Sequence, residues 1–342
     1  MAVRTVALGT DKIETSALGF GCANIFRLPG STQRLSILAA AYDAGVRHFD
    51  VAPMYGLGLA EHELGTWAHR RRDSVVIATK FGIRPTLAAR GLARIQGPVR
   101  RTFELLPALR EQAKASAAGP GSGPAGSVLY AAEGYDAAAA RRSLHRSLRS
   151  LRTDYVDLLL LHDPVPGSVQ SEDVCAYLDS ARTAGSIRSW GIAGETEPAV
   201  AVAHSFRHTI PVMQLHDDVF LRCVRYADSG GTGHVTFGVL GKALGRIVRY
   251  VSEDGARRER WNAAVGADCG VPETTAALLL RAALRENTSG VVLFSTIRPE
   301  RIDSAVTAAD VHNGPDPVLD AFMRLVDSEL RPAGSAAGNG DQ

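Results

Sequence analysis

Val156 to Asp163 reads VDLLLLHD, and this stretch decides the architecture. Four successive leucines do not suit a strand with one wet face, where apolar and polar residues alternate. A short, continuous apolar run suits a parallel strand buried on both faces under helices. Working outward, seven more such runs appear: ALGFG (17–21), VRHFD (46–50), VVIATK (75–80), IRSWGIAG (187–194), PVMQLH (211–216), HVTFG (234–238) and GVVLFS (290–295). Between them, helical spacing predicts helices over 32–44, 60–70, 137–151, 171–184 and 272–286. Gly45 and Gly185 supply stop signals, and Pro272 a start signal. Eight strands alternating with helices predict an α/β chain folded as a (β/α)8 TIM barrel. The competitor is a doubly wound sheet, which usually carries a glycine-rich turn after its first strand. Here GCANIF (21–26) follows that strand, without G-x-G-x-x-G. Upstream, Val3–Ala7 and Ile13–Ser16 flank a turn and predict an N-terminal β-hairpin closing the bottom of the barrel.

The 342 residues allow two ordinary domains or one large one. The strand count favours a single barrel over residues 1–333, with a long insertion after the third strand at 83–136. Within the insertion, Arg100 to Ser116 has helical spacing, and GPGSGPAGS (119–127) reads as a flexible linker. An insertion at a strand's C-terminal end lies on the catalytic face of a barrel. It therefore reads either as a cover over substrate or as a disordered ornament. The tail GSAAGNGDQ (334–342) is expected to be disordered.

With 45% hydrophobic residues, 22% charged residues and a net charge of +2, the chain is neither globally disordered nor built as a nucleic-acid binder. No apolar run reaches the ~18 residues of a membrane span. Cys22, Cys175, Cys223 and Cys269 have no metal-ligand or C-x-x-C spacing, so buried thiols in a reducing compartment are expected and no metal site. The opening MAVRTVALGTDK lacks the apolar segment of a secretory signal, which reads as cytoplasmic. Lysine occurs only at Lys12, Lys80, Lys114 and Lys242 among 38 basic residues.

In a barrel, chemistry is built from the C-terminal ends of strands. The second strand ends at Asp50 with Tyr55 in the loop beyond it, the third at Lys80, the fourth at His162. Singly these are ordinary packing or capping residues. Together they form a proton-transfer device. A phenol ionises near 10, too high for efficient acid–base work, and a neighbouring ammonium is expected to lower it. Lys80 can supply that charge and Asp50 can hold it. His162 can direct a carbonyl oxygen toward Tyr55, which protonates it as hydride reaches the carbon.

These motifs, in this order, resemble the aldo/keto reductase family: ALGFGCANIF, FDVAPMYGLGLAEHELG, VVIATKFG, DLLLLHDP, IRSWGIAG, VMQL and LFSTIRPERI. The resemblance runs from about residue 3 to 310, apart from the insertion. It implies a barrel oxidoreductase that prefers NADPH and acts on a small aldehyde, ketone or sugar, with no nucleic-acid or membrane partner. By that likeness Asp50, Tyr55, Lys80 and His162 correspond to the catalytic tetrad. Gln214 matches the glutamine that serves the nicotinamide carboxamide, while Ala193-Gly194 stand where the family has a polar pair. Gly238, Leu240 and Gly241 match the pyrophosphate-wrapping loop, with Lys242 nearby. Ser295, Thr296, Arg298 and Arg301 match the segment that receives the adenosine phosphate, and the two arginines favour NADP(H). Ser304 and Ala305 replace the family's adenine contacts. Phe26, Met54, Phe81, Trp190 and Phe220 are the candidates for substrate contacts. The YGLGLAEHELG segment is like that of members acting on aldoses or their lactols. The departures at 193–194 and 304–305 keep a second function in view: a catalytically weak, cofactor-sensing or scaffold barrel. A cofactor-free isomerase or lyase using the same acid–base groups is a third.

Overall fold

The computed structural model describes residues 3–86, 129–225, 230–310 and 314–331. A hairpin of β1 (Thr5–Leu8) and β2 (Ile13–Ser16) comes first. It packs on the N-terminal ends of the barrel strands: the Ser189 hydroxyl donates to Asp11 Oδ2 at 2.6 Å, and the Arg47 N–H to Ser16 Oγ at 2.8 Å. The first arm is shifted from the expected Val3–Ala7, because Leu8 turns inward and is fully buried with Ile13.

Eight parallel strands then close on themselves: β3 (Leu18–Gly21), β4 (His48–Asp50), β5 (Val76–Phe81), β8 (Val156–His162), β9 (Ile187–Gly194), β10 (Val212–His216), β11 (Gly233–Phe237) and β12 (Val291–Phe294). Closure is made by β12 beside β3, with Val292 opposite Leu18 and Phe294 opposite Phe20. All eight predicted strands are present. Every residue of β5 and β8 is buried, Thr79, Lys80, Asp157 and His162 included, as strands covered on both faces require.

The helices α1 (Ser31–Asp43), α2 (Leu59–Ala68), α3 (Ala137–Leu151), α4 (Ser171–Thr183) and α8 (Pro272–Glu286) match the predicted five closely. Asp136 caps α3 by accepting from the Ala139 N–H at 2.7 Å. Five more, α5 (Thr196–Ala203), α6 (Gly241–Ser252), α7 (Gly255–Val265), α9 (Glu300–Ala309) and α10 (Pro317–Glu329), complete the outer layer. Trp261 of α7 is buried edge-on against Phe322 of α10 and donates its indole N–H to Glu329 at 3.1 Å.

The insertion is rooted on a two-stranded stem, β6 (Ile83–Pro85) antiparallel to β7 (Tyr130–Ala132). The predicted helix at 100–116, the linker at 119–127 and the tail at 334–342 lie outside the described residues. At the base of the stem, Gly82 has φ +109°, and a Cβ there would stand 2.1 Å from the Tyr135 ring. Only glycine meets both demands.

Asp157, the first of the two aspartates in VDLLLLHD, sits at the opposite end of strand β8 from His162. Its buried carboxylate accepts from Arg72 Nη2 (2.6 Å), Arg188 Nη1 (2.8 Å) and the Ile77 N–H (2.8 Å). Asp157→Ala takes the acceptor from Arg188 Nη1 and the Ile77 N–H and leaves Arg72, which keeps the Val75 and Tyr155 carbonyls, without its counter-charge. We expect a loss of about 3 kcal/mol, read as a lower urea midpoint, with kcat retained because the tetrad lies at the far end. An unchanged midpoint would refute this role.

Candidate active site

Strand alternation brings Asp50, Lys80, His162 and Gln214 to the inner face of the barrel at its C-terminal end. Lys80 Nζ donates to Asp50 Oδ1 (2.7 Å), Asp50 Oδ2 (2.6 Å) and the Val51 carbonyl (3.1 Å). Both partners are almost completely buried. Burial opposes charge on Lys80, but Asp50 and Tyr55 outweigh it and hold the ammonium above the ordinary lysine value. Burial pushes the Asp50 carboxyl up, and Lys80 opposes that rise.

Tyr55 follows Asp50 through a tight loop in which its N–H donates to the Ala52 carbonyl at 3.0 Å. The chain then reverses through left-handed backbone at Gly56 and Leu57, an uncommon conformation for leucine, beside the reactive phenol. Lys80 Nζ lies 5.2 Å from the centre of the Tyr55 ring, and the His162 ring stands edge-on to it, 6.1 Å between centroids. Burial pushes the Tyr55 phenol up to about 12, against the downward pull of Lys80. This corrects the expectation that the ammonium brings the phenol below its ordinary value, because removal from water is the larger effect here. Burial first and Lys80 second hold His162 well below the usual imidazole range, so it is neutral. The site therefore presents a protonated phenol, a neutral imidazole and a fixed buried ammonium.

Two buried polar atoms here are unsatisfied. Gln214 donates toward Asp50, and its Oε1 has no partner; neither has His162 Nδ1. Buried polar atoms normally find partners, and the free Gln214 Oε1 beside Asp50 suits an amide donor of a bound group. Beyond β11, Gly238 has φ +83°, and a Cβ would come 2.1 Å from the His216 ring. Leu240 precedes α6 without a side-chain cap, and space is open around Gly241, so no side chain caps the first N–H groups of α6. Ser295 is exposed at the end of β12 and accepts from Asn24 Nδ2 at 3.2 Å. Thr296 Oγ1 accepts from the Arg298 N–H at 3.1 Å. Arg298 and Arg301 are exposed, and among the described residues no carboxylate pairs with either. These features fit a phosphorylated dinucleotide. Ser304 Oγ turns back to the Glu300 carbonyl (3.1 Å), and Ala305 is buried.

The aromatic candidates separate. Phe26 is 38% exposed and packs beside Gly56, and Met54 is half-buried next to Tyr55. Both stand at the mouth. Phe81 and Trp190 do not, which corrects their assignment. Each alternates outward from an inward neighbour: Phe81 is fully buried against the Tyr135 ring at 6.2 Å, and Trp190 lies against Phe206 at 5.8 Å. Phe220 lies under Arg246, 4.4 Å from the guanidinium to the ring centre.

Three features escaped the sequence reading. Tyr135, on the far arm of the insertion, donates to the His162 carbonyl. His216 stacks on Phe237, and its Nδ1–H donates to Glu195 Oε2 at 2.9 Å. Asp163 follows His162 directly, and its adjacency in HDP is the only signal the sequence holds. Among the described residues, no group of three His, Cys, Asp or Glu side chains could hold a metal, and no helix is long and apolar enough to cross a membrane.

Residues 17–312 match the model of the Aldo/keto reductase family. The chain is 31% identical over 197 residues to a D-threo-aldose 1-dehydrogenase of a Pseudomonas species, covering 55% of this chain and 52% of that protein, so it spans about half that relative's length. It is 32% identical over 208 residues to the methylglyoxal reductase DkgB of Salmonella typhimurium, covering 56% of this chain and 70% of that one. The crystal structure of an aldo-keto reductase from Klebsiella pneumoniae in complex with NADPH superposes with a TM-score of 0.65 at 20% identity, over 97% of both chains. That last likeness speaks for the fold. The match over 17–312 makes this chain a member of the aldo/keto reductase family of oxidoreductases.

Proposed function

We propose that this protein is an NADP(H)-dependent oxidoreductase interconverting a small aldehyde, ketone or sugar with its alcohol, with Tyr55 as the acid and base. The observation that carries the reading is the buried Lys80–Asp50 pair under the Tyr55 ring, with a neutral His162 at the ring's edge. The substrate's carbonyl oxygen would lie between the Tyr55 hydroxyl and the His162 imidazole. His162 orients that oxygen by donating a hydrogen bond. Tyr55 then gives it a proton. The Lys80 ammonium, held by both Asp50 oxygens, stabilises the phenolate left behind, in a water-poor setting where such a charge counts for more. NADPH, when bound, supplies the hydride. Gln214 Oε1 would take its carboxamide, the open N-terminus of α6 its pyrophosphate, and Arg298 with Arg301 its 2′-phosphate. The free cysteines suit a cytoplasmic protein.

NADPH consumption measured by absorbance against a panel of aldehydes, ketones and sugars tests the proposal. Stoichiometric consumption supports it. Tight NADPH binding with no turnover across the panel would favour the second reading, a cofactor-sensing barrel, for which the side chains at Ala193-Gly194 speak because they offer no polar contact.

The arginine assignment is tested separately. Arg301→Ala is expected to weaken NADPH binding about 10- to 100-fold, the size of a lost charge-assisted contact, and NADH binding only a few-fold. Equal losses for the two cofactors in a titration of intrinsic fluorescence would remove the 2′-phosphate argument.

A further inference from the structure

Asp163 is a carboxylate at the mouth of the site that the proton-transfer device does not use. Its Oδ2 lies 3.8 Å from His162 Nε2, and its side chain is 35% exposed. Among the described residues, no hydrogen-bond donor and no arginine or lysine reaches its oxygens; His162 is its one close polar neighbour. A half-buried carboxylate without donors is costly unless something supplies them. Its placement is built in. The backbone holds it at φ +48°, with its N–H bonded to the Ala193 carbonyl at 2.7 Å. Gly194 makes room for it, since a Cβ there would stand 3.0 Å from Asp163 Oδ1. At Gly194 the departure therefore has a structural counterpart: a side chain there would crowd this carboxylate.

A carbonyl oxygen bonded to His162 Nε2, the ring nitrogen 3.8 Å from Asp163 Oδ2, would sit about 2.9 Å from that nitrogen. A substituent on the carbon next to that carbonyl would then lie within reach of the carboxylate. We propose that Asp163 is a specificity-determining residue: it accepts a hydrogen bond from a hydroxyl or ammonium group on the carbon next to the reacting carbonyl, and repels substrates carrying a carboxylate there. This rests on the carbonyl-reductase reading above.

Burial holds the Asp163 carboxyl up at about 6, with Lys80 pulling it down and Glu195 adding to the rise. It is therefore charged above neutrality and largely neutral at about pH 5. The other groups facing it are His162, already neutral, and the phenols of Tyr55 and Tyr135, both held high by burial. Of its neighbours, Glu195 is the remaining carboxylate, and it is tied to His216.

The test uses three aldehydes of similar size with NADPH: glycolaldehyde, acetaldehyde and glyoxylate. In the native enzyme, kcat/KM is expected to favour glycolaldehyde over acetaldehyde by about 10-fold or more, the worth of a hydrogen bond to a charged acceptor, and to disfavour glyoxylate by a similar factor. Asp163→Asn suits the left-handed backbone and should raise the glyoxylate-to-acetaldehyde ratio about 10-fold. Gly194→Ala, which crowds Oδ1, should move the ratio the same way by less. Lowering the pH to about 5 should raise it in the unaltered enzyme, because glyoxylate stays anionic while Asp163 loses its charge. Ratios within about twofold of native in Asp163→Asn, or no pH effect on the native ratio, would overturn the inference and leave the carbonyl-reductase reading standing. If the native enzyme reduces none of the three nor any other carbonyl while binding NADPH, both fall together.

Discussion

Tyr55→Phe is expected to lower kcat for a neutral carbonyl substrate by about 10³-fold while leaving the Kd for NADPH within about twofold. The substitution removes one oxygen and keeps the ring, so the edge-on contact with His162 and the cation contact with Lys80 persist. What goes is the proton that balances hydride arrival. The expected size is that of a positioned general acid, and it should appear in kcat and kcat/KM alike, as for a group that acts in the transition state. Burial keeps the phenol near 12, so its donor form persists across neutral pH, and reduction should lose no rate from its titration until strongly alkaline pH. Full activity of Tyr55→Phe in stopped-flow single turnover would remove Tyr55 from its role.

The second large effect falls on stability as well as rate. Lys80→Met leaves the Asp50 carboxyl buried with its two-oxygen partner gone. Breaking a buried pair from one side costs about 3–5 kcal/mol, so a marked fall in the urea midpoint is expected. Turnover should fall by about 10²-fold or more, because the phenolate loses its counter-charge. The double variant Asp50→Asn with Lys80→Met separates the two effects. It removes the uncompensated charge and should recover much of the stability but none of the rate. Rate and stability recovering together would mean that the pair is purely structural.

The barrel was legible because its signals are local. A run such as VVIATK needs only its own seven or so neighbours to be read as a strand buried on both faces, and Gly45 or Pro272 marks a helix end by its own backbone limits. The tetrad was legible for a related reason: a barrel brings the C-terminal ends of successive strands together, so residue order along the chain becomes neighbourhood in space. The same property hid the pocket walls. Where both faces of a strand are apolar, no alternation tells inside from outside, and Phe81 and Trp190 turned out to point away from the barrel interior, against Tyr135 and Phe206.

The sequence by itself thus determined the eight strands, their order, and the four side chains that meet at their ends. Only the tertiary structure decided how those side chains behave. Distant segments partly cover Tyr55, and that burial raises its phenol where the local charge pattern argues for lowering it. Gly194 and the left-handed turn at Asp163 leave a carboxylate beside His162 that no spacing rule announces. Burial and left-handed backbone are products of the whole packed chain, so they become readable only once its remote parts have met.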